Sequence, residues 1–391
     1  MELNKIYCED CLQTMKRMPD NFVDSIVTDP PYGLKFMGKK WDYDVPSVEI
    51  WKEVLRVLKP GGHLLSFGGT RTYHRMVCAI EDAGFEIRDQ IQWIYGSGFP
   101  KSLDISKAID KKAGVERKII GTTYIRKGID GENNEKFKQA KRETTYLTAP
   151  NTKEAKQWEG WGTALKPANE PICVARKPLS EKTVAENILK WGTGGINVDG
   201  CRVEYQNEND IMFTEAKRNK SPETKAVKNG TSFQGTGEFM NHQGRFPSNV
   251  IHDGSDEVLA GFPNSTTKYI AKPSDCSVDG NTSFNTMRGN RPARGYDGSG
   301  SAARFFYCAK SSKSERGENN NHPTVKPIKI FQYLQRLVTP KGGLTYDPFG
   351  GSGTSARSAS NEGFKWILSE IAAEYCDIAN KRVYNNSGLF I

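Results

Sequence analysis

The sequence predicts an α/β protein in which one parallel, doubly wound sheet is assembled from both ends of the chain. Three observations predict it. In residues 1–100 short β-branched apolar runs alternate with stretches of helical period, the pattern of strands joined by crossover helices. The same alternation returns in residues 321–391. Between a strand and a helix of that second part stands the glycine-rich segment Thr345-Tyr346-Asp347-Pro348-Phe349-Gly350-Gly351-Ser352-Gly353-Thr354.

Each element has a local reason. Val23 to Thr28 (VDSIVT) is a strand that stops at Asp29-Pro30-Pro31, because proline removes a backbone donor and restricts the residue before it. Trp51 to Leu58 repeats apolar residues at helical spacing, and Lys59-Pro60-Gly61-Gly62 ends it in a turn. His63 to Phe67 is the next strand, Thr72 to Ala83 a helix closed by Gly84, and Phe85 to Tyr95 another strand. From Gly96 to about Gly162 the pattern dissolves into Gly, Lys, Asn and Thr, with one short helix near Ser102, and reads as mobile loop. Ala168 to Lys177 is a strand bounded by prolines, and residues 181–320 are again polar and glycine-rich. Pro327 to Val338 is an amphipathic helix stopped by Pro340-Lys341-Gly342-Gly343. Strand Leu344 to Tyr346, the glycine-rich turn, helix Thr354 to Asn361 and strand Phe364 to Leu368, ending in Ser369-Glu370, complete the pattern.

Composition narrows the class. The 391 residues carry 55 Lys+Arg against 46 Asp+Glu, a net charge of +9. Mean hydropathy is −0.63. No window approaches the ~18 consecutive apolar residues of a spanning helix, and MELNKIYCED lacks the apolar core of a signal peptide, so a cytoplasmic protein is expected. Residues 101–320 hold 35 basic and 27 acidic side chains, whereas residues 1–100 hold 12 and 14. A basic middle between near-neutral ends suits either a polyanion-binding insertion in a catalytic core or a solvated lysine-rich surface. Cys8 and Cys11 form a lone CxxC without a second pair, which reads as two buried small side chains rather than a metal site.

Two segments carry chemistry. Glycines between a strand and a helix let backbone N–H groups and the helix dipole approach a ligand, and Glu370, at the end of the next strand, is placed to accept from ribose hydroxyls. Gly351-x-Gly353-x-x-Ala356 also fits a dinucleotide fingerprint. Asp29-Pro30-Pro31-Tyr32 stands at the carboxyl end of a strand, where open α/β sheets bind ligands. An ionised carboxylate beside a carbonyl is an acceptor-only pair suited to the two hydrogens of an amino group, and tyrosine offers a face for stacking a base. An isolated tetrapeptide of this kind would instead read as a tight Pro-Pro turn.

Taken together, DPPY after VDSIVT, HPTVKP (His322 to Pro327) and DPFGGSGT (Asp347 to Thr354) resemble the amino-directed DNA methyltransferases that use S-adenosyl-L-methionine, in the order of their beta class. The resemblance implies a Rossmann-like methyltransferase sheet, circularly permuted, with a large inserted recognition region. Residues 1–180 would be the catalytic half of the core, with 96–162 a DNA-facing loop, 181–320 the target-recognition region, and 321–391 the cofactor-binding half. It further implies that Asp29 and the Pro30 carbonyl accept from the target amino group, that Pro31 stiffens the segment, and that Tyr32 stacks on the extruded base. Asp347, Phe349 and the Gly351-Ser352-Gly353 backbone would surround the methionine part of the cofactor. Glu370 would hold its ribose, Ile371 would pack on its adenine, Asp10 would approach the adenine amino group, and Thr324 and Lys326 would line its carboxylate. His322 would be structural.

In that family aspartate at the first motif position is commoner among adenine enzymes, so the resemblance implies the N6 amino group of adenine, with N4 of cytosine as the alternative. Double-stranded DNA is the implied partner, and the resemblance admits a homodimer and a cognate restriction endonuclease. A NAD-binding oxidoreductase would use the glycine fingerprint but leaves DPPY and HPTVKP unexplained, and an RNA or protein-glutamine substrate fits Asp29 and the long insertion poorly.

Overall fold

The computed structural model describes residues 1–34, 44–98, 102–126, 142–205, 244–265, 268–269, 296–297, 300–309 and 325–384. In chain order the first part runs β1 (Lys5–Cys8), α1 (Cys11–Lys16), β2 (Val23–Thr28), α2 (Val48–Val57), β3 (Leu58–Phe67), α3 (Tyr73–Asp82) and β4 (Glu86–Ile94). Then come α4 (Ile105–Lys112), β5 (Lys118–Arg126), β6 (Arg142–Ala149), α5 (Lys153–Gln157), β7 (Asn169–Arg176) and α6 (Val184–Trp191). Beyond these lie β8 (Val250–His252), α7 (Asp256–Gly261), the two-residue strands β9 (Asn264–Ser265), β10 (Lys268–Tyr269), β11 (Tyr296–Asp297) and β12 (Gly300–Ser301), and β13 (Tyr307–Cys308). The chain closes with α8 (Ile328–Val338), β14 (Leu344–Asp347), α9 (Thr354–Asn361), β15 (Lys365–Glu370) and α10 (Ala373–Tyr384).

Nine strands form one sheet in the order β1-β15-β14-β2-β3-β7-β4-β8-β13. The expected assembly from both ends is present: β14 pairs in parallel with β2 on one side and with β15 on the other. A buried carboxylate secures that junction. Asp24, in β2, accepts the Leu344 N–H at 2.7 Å through Oδ2 and the Lys59 ammonium at 2.6 Å through Oδ1. Alternation along the strands sorts the core into two layers. Leu64 and Cys173 face Trp51, Val54, Met76 and Ile80 from α2 and α3. Their neighbours Leu65, Ile172 and Val174 pack with Phe331, Leu334 and Leu337 of α8.

Four expectations change. The sheet is mixed, because β7 runs antiparallel to both β3 and β4. Lys59 to Gly62 is strand rather than turn: the Gly61 N–H donates to the Lys177 carbonyl, the Lys177 N–H donates to the Gly62 carbonyl, and the Pro60 carbonyl accepts from Asn187 and Thr193. Residues 96–162 are not a loop throughout. Asp104 caps α4, β5 and β6 form an antiparallel ladder, and the Asp110 carboxylate, accepting from Arg117, Asn151 and Thr152, ties them to α5. Finally, residues 181–320 are not separate from the sheet, since β8 and β13 extend its far edge beside β4. Strands of two or three residues leave no periodic signal, so neither was visible in the sequence. The run Lys217-Arg218-Asn219-Lys220 lies outside the described residues.

Candidate active site

Strands β1, β15, β14 and β2 are mutually parallel, so their carboxyl ends share one edge, and a cleft of about 500 Å³ opens there. The structure brings most of the sequence-predicted site residues to its walls. Asp29, Pro30, Pro31, Tyr32 and Lys326 form one end, and Asp10, Glu370 and Ile371 the other. Asp347, Phe349, Gly351 and Ser352 lie between them. Thr324 and His322 lie outside the described residues.

At the first end, β2 delivers Asp29 and the two prolines hold the chain that follows extended. Both carboxylate oxygens of Asp29 are engaged: Oδ1 accepts from the Tyr32 hydroxyl at 2.7 Å, and Oδ2 from the Lys326 ammonium at 2.6 Å. Lys326 also reaches Glu170 Oε2 and the Tyr32 hydroxyl, both at 3.1 Å. Its ammonium therefore sits on the DPPY segment, at the wall of the cleft. Burial disfavours this cation, but the Asp29 and Glu170 carboxylates outweigh it and hold the ammonium above its ordinary range. Burial, reinforced by the same two carboxylates, pushes the Tyr32 phenol well above its usual value, so it stays a protonated donor. The Tyr32 carbonyl accepts from Thr72 Oγ1 at 2.6 Å, and a Cβ at Gly69 would stand 3.1 Å from the Tyr32 ring. Glycine at 69 leaves the space the aromatic side chain occupies.

The middle of the cleft is a pre-bonded turn. Asp347 is buried and accepts from Thr28 Oγ1 at 2.6 Å, from the Phe349 N–H at 3.0 Å and from Ser355 Oγ. Burial pushes its carboxyl up to about 6 despite those donors. Phe349 lies edge-on to Trp51 with ring centroids 6.3 Å apart. Gly353 does not face the cleft. It enters α9 at φ +81°, and a Cβ there would stand 2.9 Å from the Ala379 Cβ of α10, so its glycine serves helix packing rather than a ligand.

At the second end Glu370 accepts the N–H groups of Gly351 and Ala372, both at 2.8 Å, which fixes its carboxylate at the rim. Burial raises its carboxyl above the usual range, opposed by those N–H bonds. Asp10 caps α1 through the Leu12 N–H at 2.8 Å and is exposed, as is Ile371. Among the described residues no group of three or more His, Cys, Asp or Glu side chains could hold a metal ion. Cys11 is buried, and burial pushes its thiol up to about 12, whereas Cys8 is exposed, contrary to the expectation of two buried side chains.

The model of the N6/N4 DNA methylase family matches residues 23–381. The chain belongs to this family. As an N6/N4 DNA methylase-family protein it is 26% identical over 235 residues to the type II methyltransferase M.HindIII of Haemophilus influenzae, covering 49% of this chain and 64% of that one. It is 32% identical over 114 residues to M.HpaI of Haemophilus parainfluenzae, covering 27% and 36% respectively. The chain thus spans less than two thirds of the length of these relatives. A solved M1.HpyAVI–SAM complex aligns over 97% of this chain and 98% of its own at 14% identity, with a TM-score of 0.41. Among the described residues of this family member no helix is long and apolar enough to cross a membrane.

Two side chains that hold residues of this methylase-family cleft from behind escaped the sequence reading. Glu170 is the second residue of β7, ahead of the apolar run Pro171 to Ala175, and nothing else in the sequence distinguished it. Arg382, in α10, is buried and donates to the Ser352 carbonyl at 2.6 Å, the Ser352 hydroxyl at 2.7 Å and Thr354 Oγ1 at 3.1 Å. A charged residue near a chain end carries no such signal in one dimension.

Proposed function

We propose that this chain transfers a methyl group from S-adenosyl-L-methionine to the exocyclic N6 amino group of adenine in duplex DNA, with the target base flipped out of the helix. The observation that carries the reading is the Asp29 carboxylate, oriented at one end of the cleft by a hydroxyl and an ammonium, with the glycine-rich turn alongside. Each carboxylate oxygen retains a lone pair, so Asp29 can accept from an amino group while Tyr32 and Lys326 hold it.

The cleft fits the cofactor. Its volume falls in the ~300 to 1,000 Å³ range of small-molecule sites. Acceptors at the rim, Asp10 and Glu370, suit an amino group and ribose hydroxyls, and exposed Ile371 offers an apolar face to a flat base. Phe349, Gly351 and Ser352 would border the methionine part. When bound, the cofactor supplies an electrophilic sulfonium methyl. The chain's own contribution is positioning. The amino nitrogen is conjugated with its ring and a weak nucleophile. Asp29, with the Pro30 carbonyl as second acceptor, would turn its hydrogens aside and its lone pair toward the methyl. Asp29 would take the surplus proton only once the nitrogen is methylated. Orientation of this kind supplies up to ~7 to 11 kcal/mol in ideal cases.

A base inside a duplex cannot reach such a cleft, so it must leave the stack, with Tyr32 as its platform. The basic residues of 101–320 would bind phosphates, and affinity for DNA would fall steeply with salt. The order of motifs along the chain is read as a circular permutation, and a second copy and a cognate restriction endonuclease are the further partners this reading adds. The decisive experiment incubates the protein with unmethylated DNA and labelled cofactor and sequences the product for modified bases. N6-methyladenine at one site is expected. N4-methylcytosine would overturn the base assignment, and unmodified DNA the activity.

A further inference from the structure

We propose that Glu170 is a positioning residue for methyl transfer, acting on the Asp29 carboxylate through Lys326. The inference rests on the proposed activity and extends it to a residue on a different strand, one group removed from the reacting atoms. Four side chains close a ring. Asp29 meets Lys326 at 2.6 Å, Lys326 meets Glu170 at 3.1 Å, Glu170 meets the Tyr32 hydroxyl at 3.0 Å, and Tyr32 returns to Asp29 at 2.7 Å. Lys326 is 7% exposed, so water does not screen these charges strongly. Glu170 comes from the sheet, where β7 pairs it with Trp93 of β4. It is therefore held by rigid structure rather than by a loop.

The charges explain why a second carboxylate is there. One ammonium serves two carboxylates, so the cluster as a whole is anionic. If Glu170 were neutral, Lys326 would belong to Asp29 alone, and a carboxylate in an undivided ion pair is a poorer acceptor for an amino group. The Tyr32 hydroxyl has one hydrogen and two carboxylates within reach, and the shorter contact goes to Asp29. Glu170 keeps the ammonium displaced from the midpoint of Asp29, which leaves the outward lone pairs of Asp29 available. A buried ion pair by itself is weak evidence for a stabilising role, so stability alone does not account for this arrangement.

The test compares wild type with Glu170→Gln, Lys326→Met and the double variant, in thermal unfolding without substrate and in steady-state and single-turnover methyl transfer. In unfolding, Lys326→Met should lower the midpoint by leaving two carboxylates opposed, and adding Glu170→Gln should restore part of the loss. In transfer, Glu170→Gln should lower kcat by about 10- to 100-fold per folded molecule, with KM for S-adenosyl-L-methionine within about twofold. The double variant should be no slower than Lys326→Met, because Glu170 acts through that lysine. Wild-type kcat in Glu170→Gln, or a loss that multiplies with that of Lys326→Met, overturns the proposal. Coupling in unfolding together with inactive wild type would instead sink the methyl-transfer reading, and the positioning role with it, while the charge ring itself stood.

Discussion

Arg382 and Ser352 are joined twice: one guanidinium nitrogen donates to both the carbonyl and the hydroxyl of Ser352, at 2.6 and 2.7 Å. Helix α10 thereby clamps the glycine-rich turn from behind. Replacing Arg382 by Met removes both bonds in a buried setting where nothing replaces them. We expect S-adenosyl-L-methionine to bind about tenfold more weakly, the equivalent of about 1.4 kcal/mol, and the unfolding midpoint to drop. Calorimetric titration beside thermal melting checks it, and unchanged affinity would mean the turn holds its shape unaided.

Asp29→Ala should reduce single-turnover methyl transfer by at least about 10³-fold while cofactor affinity stays within about twofold, because the carboxylate lies at the end of the cleft remote from Glu370. Near-normal transfer in this variant would dismiss Asp29 as the acceptor.

Gly353 separates packing from ligand contact. A side chain there meets both a left-handed backbone, φ +81°, and the Ala379 Cβ at 2.9 Å. Gly353→Val should cost about 1 to 3 kcal/mol in denaturant unfolding. A variant of normal stability that fails only to bind cofactor would reverse the assignment.

How much of this was legible in one dimension depended on the kind of signal. Val23 to Thr28, Thr354 to Asn361 and the Asp29 and Glu370 strand ends follow from period and punctuation, and the structure has them there. The antiparallel insertion of β7 between β3 and β4 did not follow, because a buried apolar run looks alike in either direction. The ladder of β5 and β6 escaped because its apolar residues, Ile119, Ile120 and Leu147, stand exposed, without a core to impose alternation. Within the site, motif residues were found, whereas Glu170 and Arg382 act only through partners far along the chain.

His63 gives the protein an acid-sensitive element away from the cleft. It is buried in β3, and burial, assisted by Arg176 and Arg88, lowers its imidazole to about 4. The folded state thus binds fewer protons than the unfolded one between about pH 4 and 6.5. Stability from this group is fully present above that window and is lost as pH falls through it, by about 3 kcal/mol at most. His63→Gln should flatten this part of the acid-unfolding curve. If the curves of wild type and variant run parallel from pH 7 to pH 4, His63 does not cause the loss.

The junction of β2 with β14 sets a schedule for the cell. Val23 to Thr28 leaves the ribosome first, and its partner strand, whose Leu344 N–H fills Asp24, follows 320 residues later. Until then one edge of β2 has no neighbour and the cleft has only one wall. Folding of the cleft therefore waits until β14 and the turn after it have been made, and such long-range pairing is intrinsically slow. Products terminated before β14 would carry Asp29 without the turn that faces it, and so would lack one wall of the cleft.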